Sequence, residues 1–338
     1  MRQSLHASDR GLRCFFDKSL SSGVGHAAGN VLGRVHYGHG SASALDQGTP
    51  LLSVHMAGPG TDPFTEVWVT DRPVRAGARG DLLYAEDGEH IFCATRVPAR
   101  DVYRDAVHEA YHEAFALIAG LGYTRPFRMW NLVGSITGGN ADDMEIYQDF
   151  CVGRAKAFEE WSDRIGPMPA ATGIGTLSPG IDLYFLASRD GVPQHLENPR
   201  QTPAYNYPDR YGPKSPSFAR ATYLRGTGGD PDTLYVSGTA SIVGDDTVRH
   251  GDIAGQCEVT LANIEALIGA ENLRRYGVEH GFRLTDLDHV KVYVRDAEHL
   301  PAVRARCAEA FAGHAEVAYL NVDVCRRDLL VEIEGICR

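Results

Sequence analysis

The order of predicted elements occurs twice along this chain, and that repetition constrains the fold more than any single motif does. In the first half, Leu51–Met56 and Thr65–Thr70 read as strands, and Leu82–Tyr84 with His90–Val97 reads as a hairpin around AEDGE. A helix follows over Val102–Ala119. Tyr103, Val107, Tyr111, Phe115 and Ile118 stand at helical spacing in it, and Gly120 is its stop. Phe127–Ile136 is strand-like and Met144–Trp161 is a second helix. After a break at Pro167, Pro169 and Gly173, Ile181–Ala187 is a strongly apolar strand. The second half has strands Ala219–Leu224 and Thr233–Val243, then a helix Gly255–Leu267 that extends toward Tyr276. Strand His289–Val294, helix His299–Ala312 and the closing strands Glu316–Cys325 and Leu329–Ile336 complete it. The pieces after the first helix of each half echo one another, GLGYTRPFRMWNLV and RYGVEHGFRLTDLDHVKVYV. Each half reads strands–helix–strand–helix–strand. This is an α+β pattern with helices packed on one face of a sheet. Residues 1–50, rich in Gly, Ser and His, read as irregular.

A length of 338 residues suits about two domains of ordinary size. Composition is that of a soluble globular chain, 43% hydrophobic and 23% charged. No apolar run approaches the ~20 residues of a membrane span, and MRQSLHASDRGLRCFF lacks the apolar core of a signal peptide. A cytoplasmic protein is therefore expected. Seven scattered cysteines without a CxxC pair indicate neither a disulfide framework nor a zinc ribbon. A formal charge of −11 argues against a nucleic-acid binder. It leaves room for an anionic small molecule, because a local cationic pocket can override the global field.

Such a pocket is suggested by YNYPDRYGPKSPSFARA, Tyr205–Ala221, where three tyrosines and three prolines accompany Arg210, Lys214 and Arg220. Arginine offers a forked donor to a carboxylate, tyrosine a ring face and a hydroxyl, and proline a pre-stiffened loop. The plain alternative is a solvated loop leading into a strand. His108-Glu-Ala-Tyr-His112 is a literal HExxH, which on a helix sets two imidazoles one turn apart. Its extended form would need Gly at 115 and His at 118, and these are Phe115 and Ile118; the segment Glu145–Asp149 could supply a third ligand. The alternative is an amphipathic helix with a polar His/Glu face. Gly238 either admits a close approach in its strand or forms a simple bulge. Glu332 and Glu334, at i and i+2 in a closing strand, share one face. That face is either solvated or enclosed enough to raise a carboxyl pKa for general-acid work. Cys325 could sit near Glu332 across a hairpin; a buried inert thiol is the default.

Together LYVSGTASI, the helix beginning near Gln256, HVKVYVRD and VEIEG resemble the RidA/YjgF fold. The longer set MWNLVGSI, EIYQDFCVGRAKAF (145–158), YPDRYGPKSPSFARA, SGTASIVG and CRRDLLVEIEG resembles the chorismatases, over roughly residues 80–338. The resemblance implies two RidA/YjgF-like halves, residues 1–165 and 166–338, within a pseudo-threefold arrangement, the second carrying the active-site loop and the catalytic Glu. It implies chorismate as substrate, no metal or cofactor, and an ordinary helix for HExxH. Glu332 matches the family's catalytic acid. Gly238 and Cys325 match the branch that forms 3-hydroxybenzoate and pyruvate, whereas the hydrolytic branch tends to carry Ala at the first and lacks the second. For the substrate carboxylates the candidates are Arg220, Arg154 and Tyr211, with Tyr205 and Arg210 beside them. Arg154 could equally face solvent. The other readings are a hydrolytic chorismatase and a RidA-type deaminase or small-metabolite binder. A chain with its own repeats is compatible with a monomer.

Overall fold

The computed structural model describes residues 10–18 and 30–338. Its N-terminal sheet contains β1 (Arg13–Asp17), β2 (Asn30–Gly38), β3 (Ala42–Asp46), β4 (Thr49–His55) and β5 (Phe64–Thr70), in the order β1-β5-β2-β4-β3. The middle unit runs β6 (Arg75–Arg79), β7 (Leu82–Glu86), β8 (His90–Val97), α1 (Arg104–Leu121), β9 (Arg125–Gly134), α2 (Ile146–Ile165), β10 (Ala170–Thr176) and β11 (Ile181–Ser188). The C-terminal unit has β12 (Pro193–Leu196), β13 (Ala221–Leu224) and β14 (Thr233–Ala240), then a small hairpin of β15 (Ile242–Val243) and β16 (Asp246–Thr247). It continues with α3 (Ile253–Ile268), α4 (Ala270–Arg274), β17 (Leu287–Val294), α5 (Leu300–Ala310), β18 (Glu316–Asn321) and β19 (Val331–Cys337).

The two six-stranded sheets share one topology. Their orders are β6-β7-β8-β11-β9-β10 and β12-β13-β14-β19-β17-β18. In each, the last strand inserts antiparallel between the third and fourth, and the fourth and fifth pair in parallel across a helical crossover. The N-terminal sheet repeats the inner part of the pattern. There β1-β5-β2-β4 correspond to β8-β11-β9-β10, with the same parallel and antiparallel pairings, and β3 takes the place of the second helix. The duplication expected from sequence is thus present, and a third, shorter copy precedes it.

Each helical unit buries one sheet face under its helices. On α1, Val107, Tyr111, Phe115 and Ile118 lie at i, i+4, i+8 and i+11 and pack with α2 on the middle sheet. At about 1.5–3 kcal/mol for each large apolar side chain, this stripe outweighs the weak propensity of its aromatic residues. On α3 and α5, Cys257, Ile264, Leu267, Val303 and Cys307 do the same for the C-terminal sheet. The other faces of all three sheets meet in a shared interior that includes Val35, Trp68, Phe92, Trp130, Tyr184, Tyr235, Tyr293 and Leu320.

A charged network lies in that interior. Lys291 Nζ, on β17, is 2.8 Å from Glu66 Oε2 on β5 and 2.9 Å from Glu334 Oε1 on β19, and it also donates to the hydroxyls of Tyr37 and Tyr184. Arg128 on β9 donates to Glu334 at 2.8 Å. Two cations and two carboxylates compensate one another among strands of all three sheets.

Several expectations are corrected. Described residues before position 50 form β1, β2 and β3 rather than irregular chain; the alternation of β4 and the aromatics of β1 supply the apolar face that composition obscured. Strands β10 and β11 pair with β9 and β8, so the expected division at 165/166 cuts through the middle sheet, and sheet membership changes between Ser188 and Pro193. Pro167 and Pro169 precede β10 and mark a crossover, not a unit boundary, and Gly173 lies within β10 itself, paired with Asn131 of β9. The helix expected over Gly255–Leu267 is α3, its extension toward Tyr276 is broken at Gly269 and taken up by the separate short α4, and the strand expected to reach Cys325 ends at Asn321.

Lys291→Met would leave Glu66 and Glu334 without their shared cation. Urea unfolding is expected to register a loss of about 3–5 kcal/mol; a loss below about 1 kcal/mol would mean the network adds little to stability.

Candidate active site

Strand β19 carries both carboxylates inward, because residues two apart share a strand face. Their surroundings differ sharply. Glu334 accepts from Trp130 Nε1 at 2.7 Å, Thr172 Oγ1 at 2.5 Å and Arg128 Nη2 at 2.8 Å, with Lys291 alongside. Burial alone would raise its pKa, but Lys291, Arg128 and these hydrogen bonds pull it down to about 2. Glu332 is 4% exposed and touches no cation at hydrogen-bond distance among the described residues. Burial, reinforced by the negative charge of Glu334, pushes it up to about 8 against the opposing influence of Arg220 and Arg128. At neutral pH Glu332 is a buried, protonated acid beside an ionised partner.

Gly238 provides the room for that acid. At a bulge in β14, Ser237 and Gly238 together oppose Glu334, which brings Ala240 opposite Glu332. A Cβ on Gly238 would lie 1.9 Å from Glu332 Oε1. The Gly238 N–H donates to Thr172 Oγ1 at 3.0 Å. Thr172 also accepts from Arg128 and donates to Glu334, so every hydrogen-bonding capacity of its hydroxyl is used. Cys325 Sγ lies 4.0 Å from the other Glu332 oxygen, Oε2. Burial, and then the proximity of Glu332, raise the thiol's pKa, so it is a neutral thiol and not a thiolate.

These groups open onto a cavity of about 430 Å3 between β10, β14, β19 and the loop that precedes β13. Arg220 is buried in its wall and donates to Thr202 O at 2.8 Å and Tyr207 Oη at 2.6 Å, leaving its Nε without a partner. Distant in sequence but close in space, Arg326 lies over the Tyr211 ring, its Cζ 3.8 Å from the centroid, with the Tyr207 ring at 5.1 Å. Its Nη1 is held by Asp245 O and Thr247, while Nη2 is buried without a partner. Two arginines with fixed planes and unused donors, framed by Tyr147, Tyr207, Tyr211 and Phe218, make a site suited to a ring bearing carboxylates.

Of the residues singled out in the sequence, Glu332, Cys325, Gly238, Arg220, Tyr211 and Arg210 line this cavity. Arg210 is more than half exposed and engaged by Asp245 and Asp246, at 2.5 and 2.6 Å. Tyr211 spends its hydroxyl on Asp245 O, at 2.7 Å, and contributes its ring face. Two candidates lie elsewhere. Arg154 is not solvent-facing but buried behind the wall, where it donates to Ser217 O and Tyr111 Oη and sits over the Phe158 ring, fixing the loop from behind. Tyr205, 42% exposed, points to Glu197 on the far side of Arg220. Sequence reasoning missed Arg326, Tyr207 and Tyr147. Arg326 had a signal, since it directly follows Cys325. Tyr147 had none beyond its place in EIYQDF; its ring packs on Gly173, whose absent Cβ would stand 3.0 Å away.

The HExxH helix is α1, on the outer face of the middle sheet. Its neighbour is Glu160 and not the segment Glu145–Asp149. Asp149 is buried, accepting from Arg104 and from the Tyr103 N–H.

Comparison with known proteins agrees with this geometry. Residues 66–187 match the family model described as chorismatase FkbO/Hyg5-like, N-terminal. A 3-hydroxybenzoate synthase of Streptomyces hygroscopicus is 48% identical, over 96% of this chain and 97% of that protein. A chorismatase of the same species is 45% identical, over 96% and 93%. The crystal structure of a chorismatase superposes with a TM-score of 0.92 at 44% identity, covering 97% of this chain and 99% of the other. With the acid, the arginine-lined cavity and the repeated sheets all in place, the chain belongs to the chorismatase family.

Proposed function

We propose that this protein converts chorismate to 3-hydroxybenzoate and pyruvate, with Glu332 as the acid that starts the reaction. The observation that carries this reading is a buried carboxyl, protonated at neutral pH, set in a cavity whose unused donors belong to arginines. Chorismate is a cyclohexadiene dianion with an enolpyruvyl ether. Arg220 and Arg326 take its two carboxylates, and the rings of Tyr207, Tyr211 and Phe218 flank the diene. Neither grip uses Glu332, so the acid stays free for the enol ether.

Chemistry begins when Glu332 protonates the terminal methylene of the enol ether, producing an oxocarbenium ion. A carboxyl with a pKa of about 8 is matched to this task, since it holds its proton at pH 7 yet gives it up readily. The carboxylate left behind is close to ionised Glu334, and the cation formed in the substrate relieves that repulsion. The ring hydroxyl then attacks the carbon bearing the ether oxygen. That ring C–O bond breaks, its electron pair completes the ketone of the departing pyruvate, and the hydroxyl proton passes to the Glu332 carboxylate, restoring the acid. The arene oxide opens and loses a ring proton to give 3-hydroxybenzoate. No water is consumed, and the atoms of chorismate are all found in the two products. Gly238 leaves the space that Glu332 Oε1 occupies and Cys325 sits against Oε2, which sets where the proton is delivered. The chain supplies three copies of the sheet by itself and acts as a cytoplasmic monomer.

Incubation with chorismate followed by product separation tests the assignment: 3-hydroxybenzoate with one equivalent of pyruvate is expected. A dihydroxycyclohexadiene carboxylate would move the protein to the hydrolytic branch, and unchanged chorismate would sink the reading. Glu332→Gln keeps the shape and removes the acid, and is expected to lower kcat at least about 10²–10⁴-fold. The active form is protonated, so kcat/KM should be flat at neutral pH and fall as pH rises through about 8; a rate that climbs through that range would rule Glu332 out as the acid. Cys325→Ala combined with Gly238→Ala should divert flux toward the diene acid. A double variant that still forms only 3-hydroxybenzoate would show that other residues choose the product.

A further inference from the structure

The HExxH segment has no part in the chemistry above, yet the fold completes it. His108 and His112 stand one turn apart on α1, and α2 brings Glu160 against them. Glu160 Oε2 is 2.8 Å from His108 Nε2 and 3.6 Å from His112 Nδ1. One ligand atom from each residue falls within 4.8 Å of the others, and all three side chains reach solvent. Along α2, Glu160 lies 12 residues beyond the cavity residue Gln148, roughly 18 Å at 1.5 Å per residue. The cluster is therefore separate from the active site.

We propose that His108, His112 and Glu160 bind a zinc ion that cross-braces α1 and α2 on the outer surface. Two imidazole nitrogens and a carboxylate oxygen are a zinc donor set, with bonds of about 2.0–2.2 Å and a fourth position for water. Tetrahedral bonds of that length place donors roughly 3.3–3.6 Å apart. The side chains are thus about an ångström from closure, within reach of exposed rotamers. The hydrogen bond between His108 Nε2 and Glu160 Oε2 shows that these two groups face one another, and His112 Nδ1 stands 3.6 Å from the same carboxylate oxygen. Two features oppose binding and are outweighed. Trp161 Nε1 donates to His112 Nδ1 at 3.1 Å, and this bond must be given up. Lys156 lies one turn from Glu160 and contributes unfavourable charge, which solvent and salt screen at this exposed position. Glu109, the carboxylate within the motif, is exposed and takes no part. The site is a structural brace and carries no hydrolytic step.

Titration calorimetry of zinc chloride into chelator-treated full-length protein tests this. One ion per chain is expected, with a rise in Tm of about 2–4 °C at saturation. His112→Ala and Glu160→Gln should each weaken binding at least about 10-fold. Both are surface changes, and circular dichroism confirms that each variant is folded. His112→Ala should turn over chorismate within about twofold of the native rate. Absence of binding overturns the proposal. So does unchanged affinity in His112→Ala, which would put the ion elsewhere, or in Glu160→Gln, which would reduce the site to an adventitious pair of helix histidines. Loss of chorismate turnover in His112→Ala would overturn the assignment as a separate brace.

Discussion

The charge compensation of Glu334 is the interaction on which the rest depends. A carboxylate buried among Trp130, Thr172, Arg128 and Lys291 is held ionised by donors drawn from two sheets, and Lys291 ties it to Glu66 of the third. The same arrangement isolates Glu332. Its neighbour two residues along the strand has taken the cations, and the negative charge that remains adds to the desolvation of Glu332. Opposite protonation states on one short strand follow from where the cations can reach. Stability and acidity are therefore set by one network: the Glu334 carboxylate that helps lock the three sheets together also adds to the raised pKa of Glu332.

The three sheets use corresponding positions for different ends. In the paired register Lys291 faces Glu334, Trp130 faces Tyr184 and Val35 faces Glu66. Glu334, Tyr184 and Glu66 thus occupy equivalent places on the inserted strands, and all three join the central network. Two residues earlier the equivalents are Glu332, Asp182 and Phe64. Asp182 keeps a carboxyl, but Arg96 clamps both of its oxygens at 2.7 and 2.8 Å. Burial still lifts it, to about 6. Phe64 instead stacks on Tyr37, with ring centroids 4.7 Å apart. Among these three positions, only the one on β19 has a carboxyl free of a salt bridge.

Much of this was legible in the sequence. The repeat of element order predicted two like-built sheets, because hydrophobic spacing on α1 and the alternation in β19 are local properties. Residue chemistry alone left open that Gly238 was a simple bulge, Cys325 an inert thiol, Arg220 part of a solvated loop and Glu332 no different from Glu334; the resemblance of their blocks to the chorismatases is what set them apart. The third sheet copy was not legible. Without helices it lacks the 3.6-residue signal that marks the other two, and a Gly- and His-rich segment masks its alternation. Arg154 and Arg326 were exchanged for a related reason. Both are arginines near conspicuous blocks, and only packing decides that one is spent on Ser217 O while the other lies open on Tyr211. The partner of the α1 histidines was misplaced by a dozen residues, since the crossing of two helices is not written in either alone.

Carrying three sheet copies in one polypeptide has an evolutionary consequence. In an assembly of identical subunits any substitution appears at every cleft at once, so a change that suits one is imposed on all. Here each copy is encoded separately. Asp182 could be sealed by an arginine, and Phe64 made a packing residue, without disturbing the acid on β19. The central Lys291–Glu66–Glu334 contact is where that freedom ends, because a mutation there is felt by all three like-built sheets at once.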